Sequence, residues 1–238
     1  MSTRLSKSAL EKFRACPKCF YLEKNASLKQ PQGIRAGVPM GIDRVLKGHY
    51  DAHRELKTVP PELVGKIPGG LYDGHRVSMK DLRNWRAGLT VVEDGSELST
   101  ALDDLLFDAA TGLYNMIDYK SKAKLTDVAD TQKYYQVQAD CYDLALNANK
   151  YPTDGRCFFA YYAPITVGQT IATQTNEGCL FPFTWHCQVI EIKANHANAK
   201  DLLKRAAACL AGKEPAAGVD CEYCNFVEAR NSHVGVMA

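Results

Sequence analysis

The chain has 238 residues, 46% of them hydrophobic and 24% charged, a make-up that excludes fibrous, collagen-like and intrinsically disordered classes and fits an ordinary globular protein. Its 29 basic and 27 acidic residues leave a formal charge of +2, which excludes a uniformly cationic nucleic-acid binder and requires any such affinity to come from a local basic face. No run of about 18 apolar residues occurs, and residues 1–12 lack the apolar stretch of a secretion signal. Nine cysteines then read as reduced thiols and metal ligands, not as a disulfide framework, and the expectation is a cytoplasmic protein without a membrane partner.

In chain order, Ser8 and Glu11 have capping-box spacing, and Ala9, Leu10 and Phe13 begin a helix that Pro17 should stop, delivering Cys16 and Cys19 to its end. A loop rich in glycine and proline follows over residues 30–41; Ile42, Val45, Leu46, His49 and Tyr50 then recur at helical spacing to about Leu56. Pro60-Pro61 and Gly69-Gly70 mark irregular chain, and residues 79–86 a short helix. From Leu89 the texture changes to strands over residues 89–93, 98–107 and 113–119, parted by Asp94-Gly95 and by the turn at 108–112, which together read as a β-meander. Residues 128–147 read as a long helix, and 156–162 and 180–192 as strands. Asn195 caps a last helix carrying Ala199, Leu202, Leu203, Ala206 and Leu210, which Gly212 and Pro215 stop before a cysteine-bearing tail. The expected architecture is α/β in a single domain over 1–238: an N-terminal helical part (1–88), a sheet core (89–192) and a C-terminal helix with its tail (193–238).

The hairpin holds the chemistry. With its turn centred between Ala110 and Thr111, Asp103 and Asp118 lie directly opposite one another. Opposed like charges destabilise a sheet, and a hard divalent cation held by both carboxylates is the simplest compensation. Lys120, two residues beyond Asp118, projects from the same strand face and can orient a water or stabilise charge developing on a phosphate. Asp104 points to the other face.

Ala101-Leu-Asp103-Asp104, then Ile117-Asp118-Tyr119-Lys120, then Gln138-Ala-Asp-Cys-Tyr142 resemble, in order and spacing, the RecB-like branch of the PD-(D/E)XK nucleases. Leu5-Ser6-Lys7-Ser8 with Phe13 and Cys16-Pro17 is similar to the opening of the iron–sulfur nucleases of that branch, among them the CRISPR-adaptation nucleases and the AddB nuclease domain. The resemblance spans about residues 5–228, most weakly over 33–86. It implies a restriction-endonuclease-like core, a central mixed sheet flanked by helices. It also implies Mg²⁺ or Mn²⁺ held by Asp103, Asp118 and the Tyr119 carbonyl, with Lys120 as catalytic lysine and Gln138 and Tyr142 as a Gln-x-x-x-Tyr motif on one helix face. Without it, Tyr142 reads as core and Gln138 as exposed. Many relatives carry a histidine ligand on the preceding helix; here Asp43 aligns best, with His49 a competing candidate, and Thr100 stands where relatives often have glycine.

Cys16-Pro-Lys-Cys19 and Cys221-Glu-Tyr-Cys224 form two CxxC pairs, each able to wrap two thiolates around one metal, so together they form a staple joining distant parts of the chain. The resemblance implies a [4Fe–4S] cluster; structural Zn²⁺ stays open, because relatives usually draw one cysteine from the first motif and three from the last. Cys141, Cys157, Cys179, Cys187 and Cys209 read as small core residues, and His186 and His196 as ordinary ones. The implied activity is metal-dependent hydrolysis of DNA, single-stranded or at duplex ends, in repair, recombination or defence. Lys122, Lys124 and Lys133 would line the substrate path, and any helicase or other repair or defence protein would be a separate partner. The alternative is a non-catalytic nucleic-acid-binding or scaffolding module that retains the fold.

Overall fold

The computed structural model describes residues 3–31, 37–86, 88–165, 173–175, 178–180 and 184–236. The chain opens with β1 (Thr3–Ser6), α1 (Lys7–Ala15), α2 (Pro17–Asn25) and α3 (Gly37–Glu55), then a 3₁₀ turn (Pro61–Leu63), β2 (Gly70–Leu71) and α4 (Met79–Leu82). There follow β3 (Thr90–Glu93), β4 (Ser96–Ser99), β5 (Asp104–Asp108), β6 (Leu113–Ser121), α5 (Val128–Ala148) and β7 (Arg156–Ile165). The chain continues through β8 (Thr173–Thr175), β9 (Gly178–Leu180), β10 (Thr184–Lys193), α6 (His196–Ala211) and α7 (Glu222–Val236).

The central sheet runs in the order β10-β7-β6-β5-β2. Only β6 and β7 are parallel within it, as two strands joined by a crossing helix must be. One face of this mixed sheet is packed by α5, itself covered by α1 and α6, and the other by α3. At its centre α5 is buried all round, from Val137 to Leu146, because it lies between the sheet and the outer helices. Asp127 caps its start by accepting from the Asp130 N–H. A smaller sheet, β1-β4-β3, pairs β1 parallel with β4. Among the described residues no helix is long and apolar enough to cross a membrane.

Four expectations change. The first helix is capped by Ser6, whose side chain accepts from the Ala9 N–H, and not by Ser8, because β1 carries the extended chain right up to Ser6. Pro17 starts a second helix instead of merely ending the first: a proline needs no N–H at the first helical position, and Cys19 therefore sits inside α2. The stretch 98–107 is two strands in different sheets, since Thr100 and Leu102 turn their N–H groups to the Leu89 and Leu82 carbonyls and leave the β4 ladder. The meander is thus two hairpins. The C-terminal tail is largely the helix α7.

Gly69 leads into the edge strand β2 with φ +58°, and a Cβ there would lie 2.3 Å from the Phe107 carbonyl oxygen and 2.5 Å from the Asp108 Cα. Both the left-handed backbone and the contact resist a side chain. Gly69→Ala is expected to cost about 1–3 kcal/mol in urea unfolding, with the slope unchanged; a midpoint equal to wild type would contradict this.

Candidate active site

Alternation along β6 sends Tyr114, Met116, Asp118 and Lys120 toward α5, and Ile117 and Tyr119 toward α3. The β5–β6 ladder begins with Asp104 opposite Ile117. Asp103, one residue earlier, therefore faces Asp118, in the register that a turn centred between Ala110 and Thr111 dictates. Two facing carboxylates disfavour one another, and their surroundings push their titrations apart. Asp118 is 2% exposed against 28% for Asp103. Loss of hydration, with the Asp103 charge added and the Lys120 ammonium opposing, pushes Asp118 up to about 7. Burial also works against the Asp103 anion, but the neighbouring Asp118 carboxyl and the Lys47 and Lys120 ammonium groups outweigh it and hold Asp103 below the usual carboxylate range.

Around this pair the sheet and helices converge. Lys120 Nζ forms an ion pair with Asp118 Oδ2 and lies 4.7 Å from the Tyr135 ring centroid. Burial alone would lower its pKa; the Asp118 carboxylate outweighs that and raises it. Gln138 on α5 donates from Nε2 to Asp118 Oδ1 at 2.5 Å, and its Oε1 faces the Nζ atoms of Lys120 and Lys7, each at 3.4 Å. Gln138 is buried, not exposed as its sequence context alone suggests. One helical turn on, Tyr142 is buried within the field of both carboxylates, and its pKa is raised first by burial and then by those charges. Tyr119 contributes its backbone between Asp118 and Lys120, while its hydroxyl donates to Asp104 on the far side of the sheet.

Asp104 has no exposed side-chain surface. Arg54 Nη2 reaches both its oxygens at 2.6 Å and Arg83 Nη2 reaches Oδ2 at 2.9 Å. Arg83 also donates from Nε to the Asp103 carbonyl at 2.8 Å and from Nη1 to Asp51 at 2.7 Å. A single guanidinium thus fixes the backbone of Asp103 and the carboxylate of its neighbour.

Asp43 does not touch the acidic pair directly. Lys47 stands between them, with its Nζ 2.9 Å from Asp43 and 3.2 Å from Asp103. His49 is engaged elsewhere: its Nε2 lies 2.9 Å from Glu62 Oε1, and it lines a cavity of about 610 Å³ with Ile42, Val45, Tyr162 and Trp185. Lys122 lies 4.9 Å from the Tyr161 ring and Lys133 5.3 Å from the ring of exposed Tyr134, so cations and aromatics flank the site; Lys124 is exposed. Thr100 is buried, and its N–H and hydroxyl both donate to the Leu89 carbonyl.

The family model of the PD-(D/E)XK nuclease superfamily matches residues 4–229. The chain belongs to that superfamily. PD-(D/E)XK proteins are usually nucleases, and the fold implies a divalent metal. No curated protein matches the chain. Among solved structures it is similar to the crystal structure of SSO0001, at 12% identity over 95% of this chain and 85% of that one, with a TM-score of 0.43, an overlap too distant to bear on function.

The donors of this PD-(D/E)XK centre suit a hard cation. All are oxygens, and buried Asp118 Oδ2 receives no well-directed hydrogen bond among the described residues, although Lys120 stands beside it. Two acidic side chains set opposite one another mark where a positive charge belongs. Sequence reasoning missed Lys7, Lys47 and Tyr135. Lys47 falls four residues after Asp43 and Tyr135 three before Gln138, one helical turn in each case, and that spacing was the available signal. Nothing local in the sequence announces Lys7.

The four sequence-marked cysteines also converge, away from the carboxylates. Cys16, Cys19, Cys221 and Cys224 place their ligand atoms within 4.8 Å of one another. Cys141 and Cys157 are fully buried, and Cys187 and Cys209 partly so; the side chain of Cys179 lies outside the described residues. His186 is exposed, while His196 is ion-paired with buried Asp143 and ties α6 to α5.

Proposed function

We propose that the protein cuts DNA by divalent-metal-assisted hydrolysis of phosphodiester bonds, in repair, recombination or defence, as a nuclease of the RecB-like branch. The reading is carried by one observation: the register that sets Asp103 opposite buried Asp118, with the Lys120 ammonium paired to Asp118. Asp103, Asp118 and the Tyr119 carbonyl would hold Mg²⁺ or Mn²⁺, which when bound supplies an acidified water and a Lewis acid for the phosphate. Lys120, held between Asp118 and Gln138, presents its ammonium to a phosphate oxygen and offsets charge that grows as the bond breaks. Gln138 and buried Tyr142 keep that face of α5 polar yet closed to bulk water, so the ammonium acts at reduced dielectric. Lys122 and Lys133, with Tyr134 exposed beside them, supply salt-dependent backbone contacts and a stacking surface for a DNA strand. A motor that unwinds the DNA would be a separate partner.

The test uses end-labelled single-stranded and duplex DNA with Mg²⁺ or Mn²⁺. Cleavage is expected only with a divalent ion, to stop on adding EDTA, and to fall about 10²–10³-fold in Lys120→Met with DNA binding retained. DNA binding without cleavage under every divalent ion would leave a non-catalytic binding module instead.

A further inference from the structure

The family resemblance points to a four-iron cubane at the cysteines, and the geometry does not fit one. We infer that Cys16, Cys19, Cys221 and Cys224 bind a single zinc ion as a closed tetrathiolate site whose role is to hold α7 to the body of the protein. The Sγ separations are 3.3 Å for Cys19–Cys224, 3.7 Å for Cys19–Cys221 and 3.8 Å for Cys16–Cys224. With Zn–S bonds of about 2.3 Å, the edges of a sulfur tetrahedron are about 3.8 Å long. In a [4Fe–4S] cubane each thiolate caps a different iron at an outer corner, which pushes the sulfurs about 6 Å apart. A [2Fe–2S] cluster separates its two ligand pairs by a similar span. Here all four ligand atoms fit within 4.8 Å, room for one ion and not for a cluster.

The surroundings fit a doubly negative Zn(Cys)₄ centre. Cys16 is the N-cap of α2, and Cys221 immediately precedes α7, so each CxxC pair sits at the positive end of a helix. Three N–H groups point at sulfur: Cys19 N at 3.4 Å and Gly218 N at 3.3 Å to Cys16 Sγ, and Gln30 Nε2 at 3.1 Å to Cys19 Sγ. Gly218 is itself a requirement of the closure, because a Cβ there would lie 2.5 Å from the Ala15 carbonyl and 3.2 Å from the Cys16 Cα.

The case for a fastening role is the character of α7. None of its side chains described over 222–233 is buried, and Phe226 is 67% exposed. Apolar packing of α7 is thus limited to half-buried Val227 and the edge of Tyr223 near Leu22 and Leu28, and the thiolates at its start carry the attachment. Zinc suits this task, since it has neither a redox state to protect nor a ligand position to leave open. The inference concerns this fastening alone and stands or falls apart from the nuclease reading.

Protein purified without oxygen from cells supplied with both iron and zinc is expected to be colourless, with one zinc per chain by elemental analysis and no acid-labile sulfide. Exchange of the zinc for Co²⁺ should give the visible d–d and thiolate charge-transfer bands of a tetrahedral tetrathiolate. A brown protein with several irons and sulfide, a single bound iron, or no stoichiometric metal would each overturn the inference. In the wild-type protein, stripping zinc with a strong chelator should raise amide exchange over 222–236 at least tenfold while α5 stays protected; unchanged exchange would refute the fastening role. Gly218→Ala, which keeps all four thiols, should bind zinc at least tenfold more weakly, and wild-type affinity in that variant would count equally against the geometry.

Discussion

Asp118→Asn is expected to abolish DNA cleavage, by about 10³-fold or more, and at the same time to make the metal-free protein more stable. The loss follows from taking the anionic oxygen out of the carboxyl pair that would hold the cation. The gain follows from the cost of keeping that oxygen charged while buried and next to Asp103. Asparagine preserves the acceptor for Gln138 Nε2 and replaces the charged Oδ2 beside Lys120 with a neutral amide. The sign of the pH dependence is fixed. Asp118 is pushed up to about 7 from a reference of 3.8, so between those values the folded state keeps a proton that the unfolded chain has released. Stability of the wild-type protein in EDTA should therefore fall as pH rises across this window, the penalty being complete above about pH 7. The variant's advantage should be negligible near pH 4 and about 1–3 kcal/mol above pH 7, after the favourable Lys120 pairing is subtracted. Urea melts at the two pH values measure it; a variant less stable than wild type at pH 8 would show that the ion pair with Lys120 outweighs the burial cost.

Asp104→Ala should be the most destabilising single change considered, at about 3–5 kcal/mol. It strips the carboxylate that neutralises two guanidinium groups, whose side chains are 11% and 16% exposed for Arg54 and Arg83. Among the described residues Arg54 already has its Nε and Nη1 buried without a hydrogen-bond partner, and its only other anchor there is a 3.6 Å contact with Asp51. The damage should also reach the other face of the sheet, because Arg83 holds the Asp103 carbonyl. Mn²⁺ affinity measured by calorimetry at a temperature where the variant is still folded is expected to drop about tenfold, the usual order for an outer-shell partner. Wild-type stability in Asp104→Ala would mean that the arginines are solvated in solution.

What could be read from the sequence is what short-range rules govern. Turn chemistry at 108–112, with Gly112 at φ +71°, set the hairpin register and through it the opposition of Asp103 and Asp118. Capping by Asn195 and the recurring apolar positions of α5 were equally local. The misreadings share another cause. Ser6 and Ser8 both suit a helix start, and the parallel pairing of β1 with β4 selects the first; residues 98–107 carry no turn signal and read as one strand although the chain changes sheet near Thr100. Gln138 looks exposed because nothing nearby reveals that Asp118 will accept its amide. Lys7 is 131 residues from the Gln138 oxygen it approaches, and no local pattern carries information over that distance. Apart from its CxxC start, α7 shows no amphipathic pattern, so it reads as tail.

The sulfurs of Cys19 and Cys221 meet across a sequence separation of 202 residues. A ribosome adding roughly 10 residues per second makes the early pair about 20 seconds before the late one. In the zinc site inferred above, Cys16 and Cys19 would for that interval hold half a coordination shell, open to oxidants and to stray soft metals. Closure of the ring therefore waits for the second pair, and a nascent chain that stalls before Cys221 is left with two bare thiols.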